Sequence, residues 1–166
     1  MKLITRIFGE IEIDESKIIS FPSGIIGFPE MTDFALVYDE EKGKDTPIRW
    51  LQSLQEVDFA MPVMDPLLVA EDYNPQVEDD HLIPLGVMKE EDVLVLVTVT
   101  VPKELKKMSV NLQAPIVINA DSRKAAQIIV HIPPAKRQSG TEVTPSGRFS
   151  VRRSEVPLVP SAPLPR

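Results

Sequence analysis

The chain has 166 residues, a net charge of −7 and 43% hydrophobic residues, as expected for one globular domain. It contains no cysteine, which excludes disulfides, thiol nucleophiles and cysteine-ligated zinc or iron–sulfur centres. Its acidic balance argues against direct binding of nucleic acid, because phosphate contacts need clustered lysine and arginine side chains.

The first half of the chain predicts short strands separated by turns. Lys2 and Arg6 interrupt its first apolar residues, so we do not expect these residues to form the apolar core of a secretory signal. Glu10–Asp14 alternates acidic and apolar residues, a pattern typical of a half-buried strand. Ile18–Phe21 is a short apolar run that Pro22 ends. Further candidate strands are Phe34–Tyr38, Ile48–Leu54 and Phe59–Met64, and Pro62 predicts an edge or bulged position for the last of them.

The second half contains the clearest strand, Val93–Val101, in which every odd position is valine. The valine face is expected to be buried throughout, whereas the other face passes from buried leucine to exposed threonine. Its nine residues are too few for a membrane-spanning helix, which needs roughly 20, so no membrane span is expected. Val77–Leu82 predicts a helix and Pro102–Lys107 a turn. The remaining candidate strands are Met108–Leu112, Ile116–Asn119 and Gln127–Val130.

Eight to ten short strands predict a mainly β fold, a compact antiparallel barrel-like domain or a sandwich with one short helix. The intervals between the strands are mostly too short for the crossover helices of a parallel sheet. A doubly wound α/β fold is therefore not expected.

The last part of the chain differs in composition from the rest. Seven of the 16 prolines lie in residues 133–166, without apolar periodicity. Residues 1–134 contain 12 basic and 23 acidic side chains, a net charge of −11, whereas residues 135–166 contain six and two, a net charge of +4. We expect a folded domain over 1–134 and a disordered or extended tail over 135–166. The tail is compatible with a passive role, with RNA contact and with folding back on the acidic body.

Candidate catalytic groups are few. His81 and His131 are the only histidines, and His81 follows the acidic residues 78–80. Successive residues of a helix do not face one site, so a solvated acidic helix end is favoured over a metal centre. A metal-dependent hydrolase that uses His81 is kept as an alternative.

The segment Ser23–Phe28 contains Gly24 and Gly27 without the spacing of a phosphate-binding loop. It predicts a loop in which the glycines adopt positive φ angles. Its apolar residues, Phe28 among them, either cover an opening of the barrel or form an exposed docking site.

A second candidate for partner binding is the acidic group Asp65, Glu71 and Asp72 near Tyr73. An aromatic residue beside charged residues suits the centre and rim of an interface. The sequence therefore predicts a partner-facing patch with Tyr73 at its centre.

Met108–Asn119 resembles the signature segment of the FliW flagellar assembly factors, which reads Asn-Leu, a variable residue, then Ala-Pro-Ile-Val-Ile-Asn. Phe8–Asp14 followed by Ile18–Phe21 resembles the opening hairpin of that family, and Gly24–Phe28 its glycine loop. The resemblance covers about residues 2–130. The signature residues are expected to be structural, with the two asparagines pinning turns; they are Asn111, Leu112, Ala114, Pro115 and Asn119.

The resemblance implies a non-enzymatic regulatory protein that acts in the cytoplasm and has no metal or cofactor. FliW proteins bind flagellin, and they also bind CsrA, an RNA-binding repressor of flagellin translation. Flagellin that accumulates occupies FliW and releases CsrA, so flagellin synthesis limits itself. The expected partners are thus the proteins CsrA and flagellin. The domain is not expected to bind nucleic acid directly or to bind a membrane. Alternative functions are nucleic-acid contact through the basic tail and, last, a small metal-dependent hydrolase.

Overall fold

Strands dominate the computed structural model, which describes residues 1–39, 47–75, 77–100, 109–130 and 159–161. In chain order the strands are β1 (Lys2–Thr5), β2 (Gly9–Glu12), β3 (Ile19–Ser20), β4 (Asp33–Asp39), β5 (Arg49–Ser53), β6 (Ala60–Met64), β7 (Val93–Thr100), β8 (Ser109–Val110), β9 (Ile116–Asn119), β10 (Lys124–Gln127) and β11 (Val159–Ser161). The helix α1 spans Asp79–Leu82, and short 3-10 turns cover Glu15–Lys17, Pro66–Leu68, Ile83–Leu85 and Glu90–Asp92.

Seven of these strands close into a barrel, which confirms the mainly β, barrel-like prediction with one short helix. The strands pair in the order β4, β3, β10, β9, β7, β6 and β5, and β5 also pairs with β4. Most pairs are antiparallel, but β3 and β10 are parallel and share a single pair of residues, Ser20 with Lys124. We call this weak junction the β3–β10 seam. It arises because Pro22 prevents β3 from continuing.

The opening hairpin differs from its prediction. β1 pairs with β2 in a separate two-stranded sheet, in which Lys2 lies opposite Glu12. The expected pairing of residues 8–14 with residues 18–21 was therefore wrong. The sequence pattern does not predict β1, because Ile4, an apolar residue, is exposed, whereas Thr5 is buried. Its pattern thus lacks the apolar–polar alternation of a half-buried strand.

Two further strands correct the sequence interpretation. β6 lies between β5 and β7, so the edge position expected from Pro62 was wrong. Within β6, only Val63 and Met64, which follow the proline, pair with β7, so the missing N–H of Pro62 leaves no gap in the β6–β7 ladder. β10 begins at Lys124 rather than at Gln127. Backbone hydrogen bonds to the residues just before β9 continue beyond the end of β10, as far as Val130.

The helix predicted over residues 77–82 is shorter, since α1 begins at Asp79. The turn predicted at residues 102–107 lies outside the described residues, as do His131 and most of the tail. Val159–Ser161 of the tail forms β11, which pairs in parallel with residues 37–39 of β4.

The core follows the alternation of β7. Val95 and Val97 belong to one hydrophobic cluster, with Tyr73 and Leu85, whereas Leu96 belongs to a second, with Phe21, Phe34 and Ile116. Thr98 is half-buried and Thr100 exposed, which confirms the predicted passage from a buried to an exposed face. A third cluster lies under the opening hairpin. Each fully buried valine or leucine side chain contributes about 1.5–3 kcal/mol to folding.

Candidate functional site

Tyr73 lies inside the protein and not on its surface. Its side chain is 1% exposed and packs in the cluster that contains Leu85 and Leu112. The hydroxyl donates a hydrogen bond of 2.7 Å to the Leu112 carbonyl, and burial raises the pKa of Tyr73 well above its usual range. The prediction of a partner-facing Tyr73 was therefore wrong. Its neighbours Glu71 and Asp72 suggested exposure, but the direction of a side chain in a turn depends on the packing around it.

The acidic residues near Tyr73 remain at the surface. Glu71 and Asp72 are exposed in the turn that precedes it. Asp65 is half-buried, and its Oδ1 accepts a hydrogen bond of 2.9 Å from the Leu67 N–H at the start of a 3-10 turn. Glu71 and Asp72 are thus exposed acids, whereas Asp65 makes a capping contact.

The glycine loop divides its apolar residues between the core and the surface. Ile25 is buried, whereas Ile26 and Phe28 are 47% and 45% exposed. Reciprocal backbone hydrogen bonds of 3.2 and 2.7 Å join Ile25 to Phe28 and fix the loop. The ring of Phe28 packs edge-on against Phe59, with centroids 4.9 Å apart. Phe59 packs against the cluster that contains Phe34, whereas Tyr73 lies in the other cluster, so the structure does not bring the two predicted binding aromatics together.

The signature segment contributes hydrogen bonds that hold other parts of the chain. Asn119 is fully buried, and its Nδ2 donates to the carbonyls of Leu85 at 2.8 Å and Val87 at 3.1 Å. Its Oδ1 accepts from the N–H groups of Asp121 and Ser122 at 2.9 and 3.3 Å. One side chain thus joins the turn after β9 to the segment after α1.

The other signature residues lie nearby. Asn111 is exposed and accepts one hydrogen bond of 3.1 Å from the Gln113 N–H. Leu112, Ala114 and Pro115 are buried, and the Leu112 carbonyl accepts the Tyr73 hydroxyl.

The alternative of a metal site at His81 gains no support from the described residues. His81 is exposed on α1, beside the exposed Asp79 and Asp80. Among the described residues, no group of three or more histidine, aspartate or glutamate side chains could hold a metal ion.

A groove that the sequence did not predict lies at the β3–β10 seam. Its volume is about 360 Å³, and it lies between the glycine loop, α1 and β10. Ile26 and Ile129 are exposed on its walls. No local pattern points to this groove, because it forms where residues more than a hundred positions apart in the chain meet.

A protein of known structure shares this architecture. A solved structure, described as the crystal structure of the flagellar assembly factor FliW, superposes with a TM-score of 0.73 and 33% identity. The superposition covers 81% of this chain and 92% of that one. The barrel fold and this counterpart place the chain in the class of flagellar assembly factors.

Sequence comparison defines the family. The flagellar assembly factor FliW of Lachnoclostridium phytofermentans is 44% identical over 133 residues, which is 80% of this chain and 85% of that protein. That of Lachnospira eligens is 45% identical over 130 residues, or 78% and 86% of the two chains. The family model described as FliW protein matches residues 2–139. The chain belongs to the FliW family, and the resemblance noted in its sequence is confirmed.

Within the described ranges, no helix is long and apolar enough to cross a membrane.

Proposed function

We propose that this flagellar assembly factor binds two proteins in the cytoplasm, flagellin and the translational repressor CsrA. Binding of CsrA would relieve repression of flagellin synthesis, and flagellin would displace CsrA from the complex. The observation that carries this proposal is the family membership, with relatives 44% and 45% identical over about four fifths of the chain. Binding alone accounts for such a role, because occupancy by one protein alters occupancy by another.

The charge of the domain supports a basic partner. Residues 1–134 contain 23 acidic and 12 basic side chains, and an RNA-binding repressor presents clustered positive charge. Glu71 and Asp72 are exposed side by side in one turn. We propose this turn as part of the CsrA-binding surface, now without Tyr73 at its centre.

Calorimetric titration of the full-length chain with CsrA and, separately, with flagellin from the same bacterium tests the proposal. We expect saturable binding of each protein, and displacement of bound CsrA when flagellin is added. A folded sample that binds neither protein would overturn the proposal.

A charge reversal tests the proposed surface. The double substitution Glu71→Lys and Asp72→Lys should weaken CsrA binding about tenfold, since it places positive charge against a basic partner. The matched control is Glu56→Lys with Asp58→Lys, which changes the net charge equally at two other exposed acids. Equal weakening by both pairs would show a general charge effect and no local surface.

A further inference from the structure

One edge of β4 is covered by β3 over only part of its length. β3 pairs with the first two residues of β4, and the chain just before β3 forms a 3-10 turn instead of continuing the strand. The Thr32 carbonyl accepts the Phe21 N–H on this edge, so the backbone groups of even-numbered β4 residues face it. Leu36 and Tyr38 therefore present their backbone groups where β3 no longer reaches.

The short strand β11 occupies this stretch of the edge. It pairs with β4 in parallel, with Pro160 opposite Tyr38. Because proline has no N–H, a parallel ladder at this position requires the backbone groups of Tyr38. The Tyr38 N–H then donates to the Val159 carbonyl, and the Tyr38 carbonyl accepts the Ser161 N–H. These are the groups that face the stretch beyond β3, so the proline and the alternation of β4 lead to the same placement.

The outer edge of β11 cannot extend the sheet as an ordinary strand would. Backbone groups alternate in direction along a strand, so the nitrogen of Pro160 lies on the side away from β4. A proline at this place offers no donor to a further strand, which is a common way in which natural proteins protect an edge.

The length and the charge of the tail allow it to reach this edge from its own domain. Residues 131–158 join the domain to β11, and these 28 residues can span up to roughly 90 Å. A compact domain of this size has a radius of gyration of only about 14 Å. Residues 135–166 have a net charge of +4, opposite to the −11 of residues 1–134, so the tail is attracted to its domain.

Attachment to the same chain also favours this pairing over pairing between copies. A tethered segment has an effective concentration of the order of 1 mM near its site, far above the micromolar concentration of a second molecule. Without β11, the Leu36 carbonyl and both backbone groups of Tyr38 would be open. Open edges of this kind pair with other molecules, and identical edges of two copies can pair about a two-fold axis.

We propose that the tail is an internal cover of the barrel. Val159–Ser161 pairs with β4 of its own chain and thereby keeps a second copy of the chain from pairing at the same edge. This role goes beyond the proposed function, since it does not depend on which proteins the domain binds.

Proline substitutions in the full-length chain test the cover. Val159→Pro and Ser161→Pro each remove an N–H that faces β4, and both keep the extended conformation that prolines and the residues before them favour. Ser139→Pro is the matched control, because it adds a proline to the same tail outside β11.

Amide hydrogen exchange at Tyr38, followed by NMR, reports the pairing itself. We expect slow exchange in the dilute unsubstituted chain and exchange at least about tenfold faster in the two β11 variants, since the Tyr38 N–H loses its acceptor. The Ser139→Pro control should change by less than about twofold. Fast exchange in the unsubstituted chain, or no change in either variant, would overturn the proposal. Protection that increases with protein concentration would place the tail on another copy and would also overturn it.

Sedimentation velocity tests the consequence for self-association. The β11 variants should form dimers with a dissociation constant at least about tenfold lower than that of the unsubstituted chain, because the edge is open in both copies. The Ser139→Pro control should sediment as the unsubstituted chain does, and circular dichroism verifies that every variant is folded. Folded β11 variants that exchange rapidly at Tyr38 but associate no more than the control would overturn the proposal.

Discussion

At the scale of single residues, the Tyr73 hydroxyl couples stability to pH. Burial raises the pKa of Tyr73 above the usual value of about 10, so the unfolded chain releases this proton first as the pH rises. The unfolded state then binds fewer protons than the folded state, and stability falls above about pH 10. Tyr73→Phe removes this contribution, so its unfolding free energy should fall less than that of the unsubstituted chain between about pH 8 and pH 10.5. Urea unfolding at the two pH values measures the difference.

The same substitution has a cost near neutral pH. Tyr73→Phe leaves the Leu112 carbonyl without its buried donor and should lower stability by about 1–2 kcal/mol. Binding of CsrA and flagellin should be unchanged, because the side chain is not on the surface. Weaker partner binding from a stable, folded variant would restore Tyr73 as an interface residue.

The two signature asparagines should differ sharply in their effect on stability. Asn119→Ala removes four hydrogen bonds in a fully buried place and should cost about 2–4 kcal/mol. Asn111→Ala removes one bond at an exposed residue and should cost less than about 1 kcal/mol. Urea unfolding of the two variants compares them directly. Equal losses would contradict the role assigned to Asn119 in joining the two segments.

At the scale of elements, two glycines in one loop offer an internal comparison. Gly24 and Gly27 both have positive φ angles, of 70° and 88°. A Cβ at Gly24 would lie 2.5 Å from the Pro29 carbonyl oxygen, whereas a Cβ at Gly27 would meet no atom within 4 Å. Gly27→Ala should therefore cost about 1–2 kcal/mol for the backbone conformation alone, and Gly24→Ala about 1–3 kcal/mol more. Thermal unfolding of both variants gives the answer, and similar losses would show that the loop can move away from Pro29.

The elements also show which parts of the fold a sequence can predict. β7 and β9 are evident from local patterns, because alternation and β-branched residues act within a few positions. β1 and the start of β10 are not, since an exposed isoleucine and two alanines obscure the periodicity. The buried position of Tyr73 and the groove depend on contacts between distant segments, which local patterns do not contain. The role of the exposed acids Glu71 and Asp72 in a binding surface stays a prediction.

At the scale of the whole molecule, the charge of the acidic domain and that of a basic partner act over distances longer than any single contact. The full chain has a net charge of −7, with the excess of acidic residues in residues 1–134. Such a field speeds the encounter with a basic protein, whereas the short-range contacts that hold the complex together depend little on it. The two contributions can be separated, because salt screens the first much more than the second.

Salt should therefore slow the association of this protein with CsrA more than it changes dissociation. Between roughly 0.02 M and 0.5 M salt the screening length falls from roughly 20 Å to roughly 4 Å, which removes most long-range attraction. We expect the association rate constant to fall about tenfold or more, and the dissociation rate constant to change less than about threefold. Stopped-flow mixing measures both, with circular dichroism at each concentration to verify folding. An association rate that salt leaves unchanged would contradict electrostatic steering and leave the acidic charge a role in solubility alone.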